Sequence, residues 1–235
     1  MKEYRHLIDD YLVINNSLRH NGFYVLSEDE CKRMLHSLHP FECPDMYAVV
    51  DNKGIIIEHF EFDASRRTRK GMRGKMEEAR LQKRIEDVPA DGEFHIDKGD
   101  YEITLKDWQE NFERCFYDHY HKIQKYKENL CNKTEIGDRD IMVGFFVENQ
   151  YPPFVMIDRK VAVLLYIQTE QFSEVLCNSP DIDFLLYGCY CDGRRQLFYV
   201  DRESIKGVPN LVDLNDNDVV MSHLNKNEVT MYGTF

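Results

Sequence analysis

Apolar residues recur at helical spacing in three stretches of the chain. Over residues 1–20, Leu7, Ile8, Tyr11, Leu12, Ile14 and Leu18 line one face of a helix. Asn21-Gly22 marks a turn, and Ser27-Glu28-Asp29-Glu30 is a capping box, with a hydroxyl three residues before a carboxylate. The helix it opens carries Cys31, Met34, Leu35 and Leu38 and stops before Pro40. The strongest stripe is Leu105, Trp108, Phe112, Phe116, Tyr120, Ile123, Tyr126 and Leu130, which predicts one long helix near residues 106–131.

Between these helical stretches the pattern shortens to strands. Residues 44–50 and 55–63 are rich in β-formers and flank Asp51-Asn52-Lys53-Gly54, which predicts a hairpin with Val50 opposite Ile55. Further strands are expected over Ile141–Val147, Val161–Ile167, Asp183–Cys191 and Gln196–Asp201, with a turn at Asp192-Gly193-Arg194-Arg195. Residues 64–84 are polar and weakly periodic, so a mobile basic loop is expected there, with a short helix from Lys75 to Ile85. Residues 206–235 are polar and irregular. There is no repeat of fixed period. The element order predicts an α/β or α+β fold, a central mixed sheet flanked by helices, in a single domain whose core spans about residues 23–205.

Composition narrows the class. A chain of 235 residues with 43% hydrophobic and 12% aromatic residues can bury a sizeable core and is no disordered or collagen-like polymer. The net charge of −12 argues against general binding to nucleic acid or anionic lipid, so any such contact has to come from a local basic patch. Arg66, Arg67, Arg69, Lys70, Arg73 and Lys75 form one before the first acid at Glu77. Apolar runs fall well short of the roughly 20 residues of a spanning helix, and Met1-Lys2-Glu3-Tyr4-Arg5-His6 has no secretory h-region. The cysteines, seven in number, contain no CxxC pair, and a cytoplasmic chain without a disulfide framework is expected.

Candidate chemistry centres on the first hairpin. With Val50 opposite Ile55, Asp45 and Glu58 project from one face as diagonal neighbours on adjacent strands. Two carboxylates so placed repel unless a cation lies between them, and a hard divalent ion such as Mg²⁺ (or Mn²⁺) suits them and retains water able to attack a phosphodiester. His59, Glu61 and Asp63 fall on the opposite face. A slip of one residue would bring Glu61 to Asp45, so Glu61 is the reserve ligand.

A helix bearing Glu30, then Pro44-Asp45, a hairpin and Glu58-His59-Phe60 resembles the PD-(D/E)xK nuclease superfamily over roughly residues 25–65. The resemblance implies a restriction-endonuclease-like core and a Mg²⁺-dependent endonuclease acting on phosphodiesters, usually DNA, in restriction or phage defence. It implies Asp45 and Glu58 as metal ligands with help from Glu30. The family places a Lys two residues after the second acid, where this chain has Phe60. Lys70 or Lys75 would have to supply that cation from the basic segment, and Arg66, Arg67, Arg69 and Arg73 would contact phosphates. The partner is then nucleic acid, with no membrane, and a homodimer or a protein partner is compatible.

Plainer readings compete at each position. Glu30 serves as well for capping its helix, and Pro44-Asp45 as a strand-entry turn. The histidine pairs His36/His39 and His119/His121 lack a third ligand, and finger-type zinc spacing is absent. The Trp108 stripe, with Tyr126, reads as core packing. The rival function is a non-catalytic protein-interaction module with a degenerate nuclease-like fold. A nucleotide-handling enzyme of another fold is a third reading.

Overall fold

The computed structural model describes residues 36–50, 52–69, 71–86, 104–149, 154–157, 160–191, 194–206, 211–215 and 220–221. The expected helix over residues 1–20, the capping box with Glu30, and Lys70 lie outside the described residues. A six-stranded mixed sheet organises the fold. It comprises β1 (His39–Pro40), β2 (Met46–Val50), β3 (Lys53–Phe62), β6 (Ile141–Asn149), β9 (Phe184–Cys191) and β10 (Arg194–Val200), which lie in that order across the sheet. The first three strands form an antiparallel meander, β3–β6 and β6–β9 are parallel, and β9–β10 is antiparallel. The chain is thus mixed α/β, with helices packed against the sheet.

The hairpin β2–β3 forms, two residues out of the expected register. Val50 faces Lys53, not Ile55, and Met46 faces Ile57. Asn52 adopts φ 62°, a left-handed conformation Asn tolerates, so a tight turn suffices and Lys53 and Gly54 join the strand. Gly54 is needed for packing, since a Cβ there would lie 2.8 Å from Leu130 Cδ2. An even-numbered shift leaves every residue on its expected face.

β3 runs directly into the basic segment. Where the sequence suggests a mobile loop with a helix over 75–85, the described residues form a small hairpin, β4 (Arg67–Thr68) with β5 (Gly71–Met72), and then helix α1 (Arg73–Glu86). A buried polar knot anchors this unit. Ser65 Oγ donates to Asp63 Oδ1 and accepts the Gly74 N–H at 2.8 Å. Asn111 Nδ2 donates to the carbonyls of Asp63 and Ser65, both at 2.9 Å. A Cβ on Gly74 would sit 2.7 Å from Asp63 Oδ2, so a glycine lets the start of α1 approach the carboxylate. An acid there also complements the positive end of the helix.

The expected single long helix is two, α2 (Leu105–Tyr120) and α3 (Ile123–Lys133). The ladder tightens at the junction, where the Lys122 N–H reaches back to the His119 carbonyl. The apolar stripe continues across the break because both helices pack on β3, which is why periodicity alone did not reveal it. Thr104 caps α2 by accepting the Asp107 N–H at 2.9 Å, and its own N–H donates to the Ala64 carbonyl. Trp108, Phe112 and Phe116 are wholly buried, and each contributes roughly 2–3 kcal/mol of burial. Phe62 packs edge-on against Phe112 at 5.2 Å and against Tyr166 at 5.6 Å.

The remaining strands follow expectation with altered ends. The strand expected over Val161–Ile167 is β8 (Lys160–Val163), followed by a 3-10 turn at Tyr166–Gln168 and helix α4 (Glu170–Cys177) capped by Thr169. β8 pairs with β7 (Phe154–Ile157), which in turn pairs with β11 (Val220–Met221). Arg194 and Arg195, expected in a turn, pair with Cys191 and Tyr190 within β10. Helix α5 (Arg202–Lys206) follows β10. Among the described residues no helix is long and apolar enough to cross a membrane.

Burial raises the phenol pKa of Tyr126, Tyr166 and Tyr187 above the ordinary 10.0, with neighbouring acid Glu58 adding to the rise at Tyr126. The folded state therefore keeps protons that the unfolded chain loses above about pH 10. Their contribution to stability is complete below that pH and falls as pH rises through and beyond it. Urea midpoints are expected to be level between about pH 8 and pH 9.5 and to drop by about pH 11.

Candidate metal centre

β3 presents two polar clusters on opposite faces at consecutive residues. On the face toward α2 and α3 lies Glu58. Its Oε1 accepts from His119 Nδ1 and from the Tyr126 hydroxyl, both at 2.8 Å, and its Oε2 accepts the Asp45 N–H at 3.1 Å. The raised pKa of Tyr126, caused first by burial, keeps its hydroxyl a donor.

Asp45 lies next to this cluster, one residue before β2, and at the level of Glu58 in the observed register. Its Oδ2 accepts the His59 N–H at 2.8 Å. The carboxylates expected to share a metal are thus both engaged in holding the end of β2 to β3. Phe60, at the position where the nuclease pattern has Lys, is 5% exposed and stacks on the His119 ring at 5.5 Å. It is part of the core.

The opposite face carries the stronger metal geometry. His59 Nε2 lies 2.7 Å from Glu148 Oε2. Glu61 is directly abreast of Glu148 in the parallel β3–β6 register. One donor atom from each of His59, Glu61 and Glu148 lies within 4.8 Å of the other two. Donors around one ion at about 2.0–2.2 Å stand roughly 3 Å apart, so these side chains would draw closer together around a single divalent ion. Two carboxylates side by side, one of them 2% exposed, repel, and a cation among them relieves this. The His59 ring is held against Phe146 at 5.1 Å between centroids, which restricts its orientation.

The cluster occupies the C-terminal ends of the parallel strands β3 and β6, the end of an α/β sheet where ligand sites gather. The basic segment leaves β3 at that same end. Arg66, Arg67, Arg69 and Arg73 are all exposed, and the Arg73 N–H bonds the Arg66 carbonyl across the base of the small hairpin. Lys75 lies in the first turn of α1.

Of the residues singled out from sequence, Asp45 and Glu58 meet, and Glu61 stands on the other face with His59. Sequence reasoning missed Glu148 as a site residue, treated His119 as a surface or core histidine and read Tyr126 as packing. Glu148 carries no local signal, because a parallel partner is joined by a long crossover. The one available hint was an acid at the end of the apolar run Ile141–Val147. Family models, curated proteins and solved structures offer no match to this chain.

Proposed function

We propose that this protein is a divalent-metal-dependent phosphodiester hydrolase of nuclease type acting on DNA, with its metal held by His59, Glu61 and Glu148. The observation that carries the reading is the convergence of one imidazole and two carboxylates within 4.8 Å, at the strand ends from which an arginine-rich hairpin departs. The order hairpin, helices, parallel strand supports a restriction-endonuclease-like core. An imidazole in the donor set favours Mn²⁺ or Zn²⁺ over the Mg²⁺ expected from an all-carboxylate pair. A metal bound there supplies a lowered pKa for a water ligand and positive charge for the phosphoryl oxygens.

The chain's own groups supply the rest. Glu148 and Glu61 supply two anionic donors beside the His59 imidazole. Arg66, Arg67 and Arg69 offer bidentate contacts to phosphates, in spite of the overall charge of −12. The cation missing at Phe60 is a role for these arginines or for Lys75.

Metal removal tests the reading. Plasmid and single-stranded DNA are expected to be cut by the full chain with Mn²⁺, and cleavage is expected to vanish in excess EDTA and return on adding Mn²⁺ back. Absence of cleavage by folded protein with Mn²⁺, Zn²⁺ or Mg²⁺ would turn the assignment to the second reading, a non-catalytic interaction module. That alternative is favoured by one observation: Glu58 is saturated by donors from the chain itself, and Phe60 fills the core where the nuclease pattern needs Lys.

A further inference from the structure

The two clusters on β3 are linked through the main chain. β2 begins at Met46, opposite Ile57, so His59 lies beyond the end of the β2–β3 ladder. Its N–H takes a side-chain acceptor, Asp45 Oδ2, at 2.8 Å. Asp45 is held in turn, because its own N–H donates to Glu58 Oε2. Glu58 is fixed by α2 through His119 and by α3 through Tyr126. An unbroken hydrogen-bonded path therefore runs from both helices, through Glu58 and Asp45, to the backbone of His59. On the far side of the sheet the same residue's Nε2 meets Glu148 at 2.7 Å.

We propose that Asp45 is a positioning residue for the metal centre, acting through the His59 N–H and not as a ligand. The inference rests on the reading of His59, Glu61 and Glu148 as metal ligands. Without that acceptor, β3 at His59 is held on the β6 side alone, and its β2 side is free to shift. The imidazole then loses its set angle to Glu148 and Glu61, although no atom of the ligand set has changed. Groups that orient metal ligands in this indirect way typically change affinity about 10–100-fold when removed. The role requires an acceptor at Asp45 and does not require its charge. That separates it from a ligand role, in which the charge matters.

Mn²⁺ titration of the full chain, with free ion read by electron paramagnetic resonance, tests this. Asp45→Ala is expected to weaken Mn²⁺ binding about tenfold or more, while Asp45→Asn, whose amide oxygen still accepts the His59 N–H, stays within about threefold of the unmodified chain. Thr169→Ala removes the N-cap of α4, which lies outside this path, and is expected to lower thermal stability while leaving Mn²⁺ affinity unchanged, so general loosening is not the cause. If Asp45→Ala does not fold, Asp45→Glu replaces it, because the longer stem carries the acceptor past the N–H and the same tenfold loss is expected. Equal affinity in Asp45→Ala and the unmodified chain would overturn the proposal. So would an Asp45→Asn loss as large as that of Asp45→Ala, which would make Asp45 a ligand. If the unmodified chain binds no Mn²⁺, or Glu148→Gln binds it normally, the metal reading itself has failed and this inference with it.

Discussion

Glu148→Gln is expected to abolish metal-dependent cleavage while leaving the fold intact, and Glu58→Ala is expected to do the reverse, destabilising the fold first. Glu148 stands abreast of Glu61 in the β3–β6 register, so removing its charge relieves a like-charge contact. The amide keeps an oxygen for His59 Nε2. Unfolding free energy is then expected within about 1 kcal/mol of the unmodified chain, while an anionic metal donor is lost. Glu58→Ala removes the acceptor for His119, Tyr126 and the Asp45 N–H together. Tyr126 is 1% exposed, and its hydroxyl would keep only the His119 ring, at 3.3 Å, as a partner. The loss is expected at about 3 kcal/mol or more. Urea unfolding beside Mn²⁺-dependent cleavage checks both. A stable Glu58→Ala protein without activity would return the metal to the Asp45–Glu58 pair.

Gly144→Ala is the largest expected effect on stability alone. Gly144 lies in the middle of β6, paired with Ile57 on one side and Phe184 on the other. A Cβ there would stand 2.3 Å from Phe184 Cζ and 2.4 Å from Cε2, so the ring lies directly over the glycine. Phe184 cannot easily retreat, being 2% exposed and stacked on Tyr199 at 5.6 Å. Adding one methyl forces a ring or a central strand to move, at a cost of about 3 kcal/mol. Gly144 shares its sheet face with His59 and Glu148, so the strand shift would also reach those two side chains. A denaturation midpoint unchanged by the substitution would show that the ring has room to rotate away.

Much of this architecture was legible because it is local. Alternation within Ile55–Asp63 put Glu58 on one face and His59 with Glu61 on the other, and that separation is what the structure shows. The stripe from Leu105 to Leu130 marked the helical layer, and the β-rich runs after Ile141 marked most of the strands. What was missed depended on tertiary partners. The hairpin register turned on whether Asn52 would accept a left-handed conformation and on Leu130 needing the space above Gly54. The break between α2 and α3 left no trace in a stripe that serves both helices. Above all, the pairing of β3 with β6 brings Glu148 to His59 across a sequence separation of 89, with no turn between them to announce it. The sequence therefore showed acids along β3 but not the grouping of His59, Glu61 and Glu148 that the β3–β6 pairing makes.

The role of Glu58 sharpens that lesson. A carboxylate inside an apolar run requires a partner, and a metal was one candidate. The structure supplies His119 and Tyr126 from the helices instead, so the helix-face acid is accounted for by the fold. On the other side Glu61 and Glu148 stand in register beside the His59 imidazole.

The most direct test is anomalous diffraction from crystals of the full chain grown with Mn²⁺. A single strong anomalous peak is expected among His59, Glu61 and Glu148, at about 2.0–2.2 Å from one donor atom of each. A peak between Asp45 and Glu58 instead, or an ordered His59–Glu148 contact with no peak at saturating Mn²⁺, would contradict the account.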